Sequence, residues 1–84
     1  MLTIHYFASI REALDKSQEQ LELPDSVSSV GQLIEHLLHL HPHFDAVFDK
    51  DKQILVAVNQ TVVDASYSLS RDDEIAFFPP MTGG

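Results

Sequence analysis

Leu2, Ile4 and Tyr6 alternate with Thr3, His5 and Phe7, the period of two that gives a strand unlike faces. Ser9-Ile10-Arg11-Glu12 has the spacing of a capping box and predicts a short helix running to about Leu14. Gln20-Leu21-Glu22-Leu23 alternates again and stops at Pro24, a residue that cannot donate to a ladder, so a second strand is expected there at a sheet edge. Ser29-Val30-Gly31-Gln32 repeats the capping-box spacing, and Val30, Leu33, Ile34, Leu37, Leu38 and His41 follow at helical intervals. One amphipathic helix of about three turns results, ending near Leu40 because Pro42 biases His41 away from helical dihedrals. Phe44, Val47 and Phe48 add an irregular apolar turn before the polar stretch Asp49-Lys50-Asp51-Lys52. Ile54–Val58 reads as a buried strand, Asn59-Gln60 as a tight turn into Thr61-Val62-Val63, and Arg71-Asp72-Asp73 as a turn into a last strand, Glu74–Phe78.

The predicted order is strand, short helix, strand, long helix, then three strands. One long helix cannot cover two sheet faces, so the two-layer solution is an α+β fold: a mixed sheet with that helix packed across one face. This is the β-grasp arrangement of ubiquitin-like domains, in which the first and last strands lie parallel at the sheet centre. If Ile4, Tyr6, Ile75 and Phe77 face the helix, Phe7 and Phe78 point to the outer face and meet at one end of it. An aromatic pair exposed there is expected to be a docking surface.

Composition narrows the chemistry. A length of 84 residues with 44% apolar content makes one small domain, since chains divide only beyond ~250 residues. The absence of cysteine excludes disulfides, thiolate metal sites and a cysteine nucleophile. The net charge of −8 repels a phosphate backbone, so no nucleic-acid partner is expected, and it favours a basic protein surface instead. The longest apolar run, Ile54–Val58, is far short of the ~20 residues of a membrane helix. No secretory signal is visible, and a cytoplasmic protein with no membrane partner is expected. His36, His39, His41 and His43 crowd one segment, but no ligand set converges at helical spacing. They are expected to be solvated, and no metal site is expected. Asp72-Asp73-Glu74 is likewise expected to be a solvated turn.

The remaining chemistry lies in Phe78-Pro79-Pro80-Met81-Thr82-Gly83-Gly84, which holds two of the three glycines. Residues 1–78 are expected to form the folded domain. Pro79 and Pro80 stop the strand and favour an extended form, so residues 79–84 are expected to project as a tail. Without side chains at positions 83 and 84 the end of such a tail passes a constriction, and its reactive group is the α-carboxylate of Gly84. A carboxylate with a pKa near ~3.5 is ionised and a poor electrophile, so it needs activation through ATP. No Gly-rich phosphate loop is present in the chain, which assigns the ATP chemistry to another protein.

Several segments together resemble the ubiquitin-like sulfur carriers, specifically the small subunits of molybdopterin synthase. They are Tyr6-Phe7-Ala8 with Ile10-Arg11-Glu12, Leu21-Glu22-Leu23-Pro24, Ala57-Val58-Asn59-Gln60, and Asp73 through Gly84. The family commonly has glycine where Asp72 stands and valine where Met81 stands. The resemblance implies that an E1-like enzyme adenylates Gly84 with ATP and supports its conversion to a thiocarboxylate. It further implies that the tail, Pro79, Pro80, Met81, Thr82, Gly83 and Gly84, enters the large subunit and donates sulfur for the dithiolene of molybdopterin, starting from cyclic pyranopterin monophosphate. The carrier is then a non-catalytic subunit with no bound cofactor, assembled with its large subunit as a heterotetramer. The resemblance points to Phe7 and Phe78 as partner-binding residues and adds Arg11 and Val62. Two alternatives share the terminal chemistry: a sulfur carrier for thiamine or tRNA thiolation, and a ubiquitin-like interaction domain or modifier.

Overall fold

The computed structural model describes residues 1–48 and 54–80. The Asp49–Lys52 stretch and Met81, Thr82, Gly83 and Gly84 lie outside the described residues. The chain runs through β1 (Leu2–Tyr6), α1 (Ala8–Leu14), β2 (Gln18–Leu21), α2 (Val30–Leu40), a 3₁₀ turn at Pro42–Ala46, β3 (Leu55–Val58), β4 (Thr61–Val63) and β5 (Glu74–Phe78). The five strands form one sheet in the order β2-β1-β5-β3-β4. β1 and β5 pair in parallel with Ile4 opposite Ile75 and Tyr6 opposite Phe77; the other pairings are antiparallel. This is the expected α+β, β-grasp fold.

Alternation sorts the faces. Leu2, Ile4, Tyr6, Ile75 and Phe77 are each 1% exposed or less and share one core with Val30, Leu33 and Leu37 of α2. Phe44 of the 3₁₀ turn is also fully buried, edge-on to Tyr6 at 5.7 Å between ring centroids. The irregular turn after α2 therefore closes the core, as its apolar spacing predicts.

Three local expectations are corrected. Ser9 does not cap α1: Phe7 holds the cap position without a side-chain bond, and its carbonyl accepts from Ile10 and Arg11. Because the Phe7 N–H is still bonded to Phe77, the chain must turn at Ala8, which takes φ 53° and leaves Ser9 already inside the helix. β2 spans Gln18–Leu21, not residues 20–23: Leu21 sits opposite Leu2, the first residue of β1, so nothing remains for Glu22 and Leu23 to pair with. The box at Ser29 is shifted on one side. Ser29 Oγ accepts from the Gln32 N–H at 3.3 Å, but Gln32 Oε1 accepts from the N–H and hydroxyl of Ser28, at 2.7 and 2.9 Å.

The opening amides of α2 find partners outside the helix as well. Val30 N–H donates to Tyr67 O at 3.0 Å and Gly31 N–H to Ala65 O at 2.8 Å, which ties α2 to the connection between β4 and β5. A Cβ at Gly31 would stand 3.3 Å from that Ala65 oxygen, so the close approach favours glycine.

Candidate functional site

The outer face of the sheet is built by the register. His5 lies opposite Ala76, Ala76 opposite Ala57, and Ala57 opposite Val62. On the tail side of this row stand Phe7, Phe78 and Leu55: Leu55 pairs with Phe78, and one register step beyond Tyr6–Phe77 sets Phe7 beside Phe78. Phe7 is 48% exposed and Val62 61%, while Phe78 is half-buried. Arg11 is exposed on α1, four residues from Phe7, and helps line a shallow depression with Glu12, Asp15, Lys16 and Ser17. All four residues singled out from sequence thus have accessible surface, and three of them lie on the one outer face.

β5 ends at Phe78, because Pro79 and Pro80 lack the N–H that would extend the ladder. The two prolines border an apolar groove of about 400 Å³ lined also by Ser9, Ile10, Ala13, Val47 and Ile54. The outer face and the start of the tail therefore share one end of the sheet.

The turns that frame this face have their own chemistry. Asn59 and Gln60 take φ 51° and 72°, the left-handed pair of a type I′ hairpin turn. Asn59 Nδ2 donates to Asp73 Oδ1 at 2.9 Å, and Asn59 Oδ1 accepts from the Glu74 N–H at 3.0 Å, which stitches the β3–β4 turn to the start of β5. Asp72, which stands where the resemblance implies a glycine, is not in the left-handed region. Its carboxylate instead accepts from the Met1 ammonium at 2.9 Å, which holds it below its ordinary range through that bond and charge.

A polar cluster escaped the sequence reading. Glu19 accepts from the Tyr6 hydroxyl at 2.7 Å and from Lys16 Nζ at 3.0 Å, and lies 3.1 Å from His41 Nε2. Burial pushes the Glu19 carboxyl up, but its bonds to Tyr6, Lys16 and His41 and the Lys16 charge outweigh that and leave it below its ordinary value. Burial, and then the Glu19 bond and charge, push the Tyr6 phenol above its usual range. His41, expected to be solvated with the other histidines, is instead the C-terminal cap of α2, stacks on Phe44 at 4.4 Å and is partly buried against Glu19. His36 is half-buried and His39 exposed. Among the described residues no three acidic or histidine groups come together at metal-binding distances. None of their helices is long and apolar enough to cross a membrane.

Comparison with known proteins agrees with this geometry. The model of the ThiS family matches residues 4–84. The molybdopterin synthase sulfur carrier subunit of Haemophilus influenzae is 38% identical over 84 residues, and that of Escherichia coli K12 34%, each alignment covering 100% of both chains. Among solved structures, small archaeal modifier protein 1 of Haloferax volcanii superposes with a TM-score of 0.79 at 26% identity, covering 99% of this chain and 98% of that one. A match from residue 4 to residue 84, on a β-grasp sheet whose outer face carries Phe7 and Phe78 and in a sequence that closes on Gly83-Gly84, leads to one conclusion: the chain belongs to the ThiS family of sulfur carriers.

Proposed function

We propose that this chain is the sulfur carrier subunit of a molybdopterin synthase and that Gly84 is its reactive residue. The observation that carries the reading is the end-to-end likeness to two subunits of that name. In the first step a carboxylate oxygen of Gly84 attacks the α-phosphorus of ATP on an E1-like enzyme, and pyrophosphate leaves. A sulfide-equivalent donor then displaces AMP from the acyl carbon and leaves a thiocarboxylate. In the large subunit that sulfur displaces an oxygen substituent from a carbon of cyclic pyranopterin monophosphate, the C–O bond breaking and its oxygen leaving as the C–S bond forms. Water then cleaves the acyl–sulfur bond, returning the carboxylate and leaving the sulfur on the pterin. Two such cycles supply the dithiolene.

The carrier contributes reach and docking, while the partners hold ATP and pterin. Residues 79–84 act as the tail, with Pro79 and Pro80 ending the sheet and Met81, Thr82 and Gly83 leading to Gly84. Phe7, Arg11, Val62 and Phe78 contact the large subunit in a heterotetramer. An aromatic cluster with a polar rim is the composition of such interfaces. The chain works in the cytoplasm, without nucleic acid or membrane.

The test is transfer itself. Thiocarboxylated chain mixed with a molybdopterin synthase large subunit and cyclic pyranopterin monophosphate is expected to yield the dithiolene product and an ordinary Gly84 carboxylate. Deleting Gly84 is expected to abolish activation while leaving folding and docking intact; full transfer by the shortened chain would refute the assignment. Delivery of sulfur to a thiazole precursor or to tRNA instead would move the protein to another carrier class. Isopeptide linkage to lysines, the chemistry of a modifier, would remove it from the carriers.

A further inference from the structure

The outer face is not uniformly apolar. Its middle row contains two alanines, Ala76 and Ala57, between the larger His5 and Val62, so the sheet is cut by a trough of about 320 Å³ lined by His5, Phe7, Ala57, Gln60, Glu74 and Ala76. Its two walls differ. Phe7 stands on the tail side, its ring stacked on that of His5 at 6.2 Å between centroids. Glu74 stands on the other, anchored through its backbone N–H to Asn59. Its side chain is 53% exposed, and His5 Nε2 lies 3.5 Å from its carboxylate.

Resting on the docking role of this face, we propose that the trough is an arginine socket: it takes an arginine side chain of the partner, methylenes over Ala76 and Ala57, guanidinium between the Phe7 ring and the Glu74 carboxylate. Three observations select that occupant. An apolar side chain would cover the Glu74 carboxylate and leave it desolvated with only the His5 imidazole beside it, which is costly. An acidic one would meet both Glu74 and a chain of net charge −8. A lysine satisfies the charge but offers a compact ammonium, whereas a planar guanidinium stacks on an aromatic face and bonds a carboxylate bidentately, and its stem covers an alanine floor. The requirement for small residues at positions 57 and 76 follows, because larger side chains there would fill the floor.

The experiment uses the full chain and a molybdopterin synthase large subunit, with affinity measured by calorimetry at two salt concentrations. Glu74→Gln is expected to weaken binding by at least about tenfold, the loss of one charge-assisted contact, and Ala76→Leu by as much, because the larger side chain fills the floor. Glu74→Gln is also expected to flatten the salt dependence. Phe7→Leu, which keeps apolar bulk but removes the ring face, is expected to weaken binding severalfold. Thermal unfolding of each variant alone, expected to match wild type within a few degrees, ties these losses to the interface. Wild-type affinity in both Glu74→Gln and Ala76→Leu overturns the socket while leaving the docking role standing, and tighter binding by Glu74→Leu overturns it in favour of an apolar occupant. If the wild-type chain itself fails to bind, the docking role falls, and the socket with it.

Discussion

The Glu19 carboxylate joins residues that are remote in sequence: Tyr6 from β1, Lys16 from the α1–β2 turn and His41 from the end of α2. Because it is held below its ordinary 4.5, the folded state favours its ionised form. Its contribution to stability is complete above that pH and declines as pH falls through the lowered folded value. Tyr6 acts in the opposite sense: its raised phenol contributes fully below its ordinary 10.0 and loses that contribution as pH climbs past it. Glu19→Gln is expected to cost about 1–3 kcal/mol at neutral pH and to give a shallower acid limb than wild type, read from denaturant unfolding between pH 3 and about 7. An unchanged acid limb would show that Glu19 is not the group responsible. Phe78, half-buried on the outer face, makes a different prediction. Phe78→Asp is expected to shift the unfolding of the isolated domain by only ~1 kcal/mol, as a surface change does, yet to cost several kcal/mol in the complex, where the carboxylate is buried unpaired. Collapse of the free domain with retained affinity would place the ring in the core.

At the scale of elements, the hairpin turn at Asn59-Gln60 carries a measurable conflict. Left-handed dihedrals cost an ordinary L-residue roughly 1–2 kcal/mol, and Gln60 has φ 72°. Gln60→Gly is expected to stabilise the domain by about 0.5 kcal/mol or somewhat more, once the greater chain entropy of glycine when unfolded is subtracted. The midpoint of thermal unfolding would report it as a rise of ~2–4 °C. Elements were legible where a period persisted: the Leu2–Tyr6 alternation, the stripe of α2 and the Glu74–Phe78 strand were all readable. Boundaries were lost where the deciding partner was distant. Alternation runs on through Leu23, and only the start of β1 at Leu2 ends β2. Ser9 has the right spacing for a cap, but the bond from Phe7 to Phe77 sets the cap two residues earlier, at Phe7.

At the scale of the molecule, the same distinction separates what could be read of the site from what could not. Phe7 and Phe78 fell on one face because alternation assigns faces, Val62 and Arg11 came only with the resemblance, and the diglycine tail stood out by composition. The Glu19 cluster joins side chains at positions 6, 16, 19 and 41, and the trough needs two alanines brought side by side by an antiparallel register; neither pattern exists along the chain. The central pairing has one more consequence. β1 and β5, close to opposite ends of the sequence, run parallel in adjacent positions, Thr3 opposite Glu74 and Tyr6 opposite Phe77. A force drawing the start of β1 and the end of β5 apart therefore slides the two strands along each other and loads their hydrogen bonds together, rather than opening them one at a time. The domain is expected to resist pulling between positions 2 and 78 far better than pulling between positions 2 and 21, which unzips the β1–β2 ladder from its end at the Leu2–Leu21 pair. Single-molecule force spectroscopy along the two directions measures the difference, and equal rupture forces would contradict it.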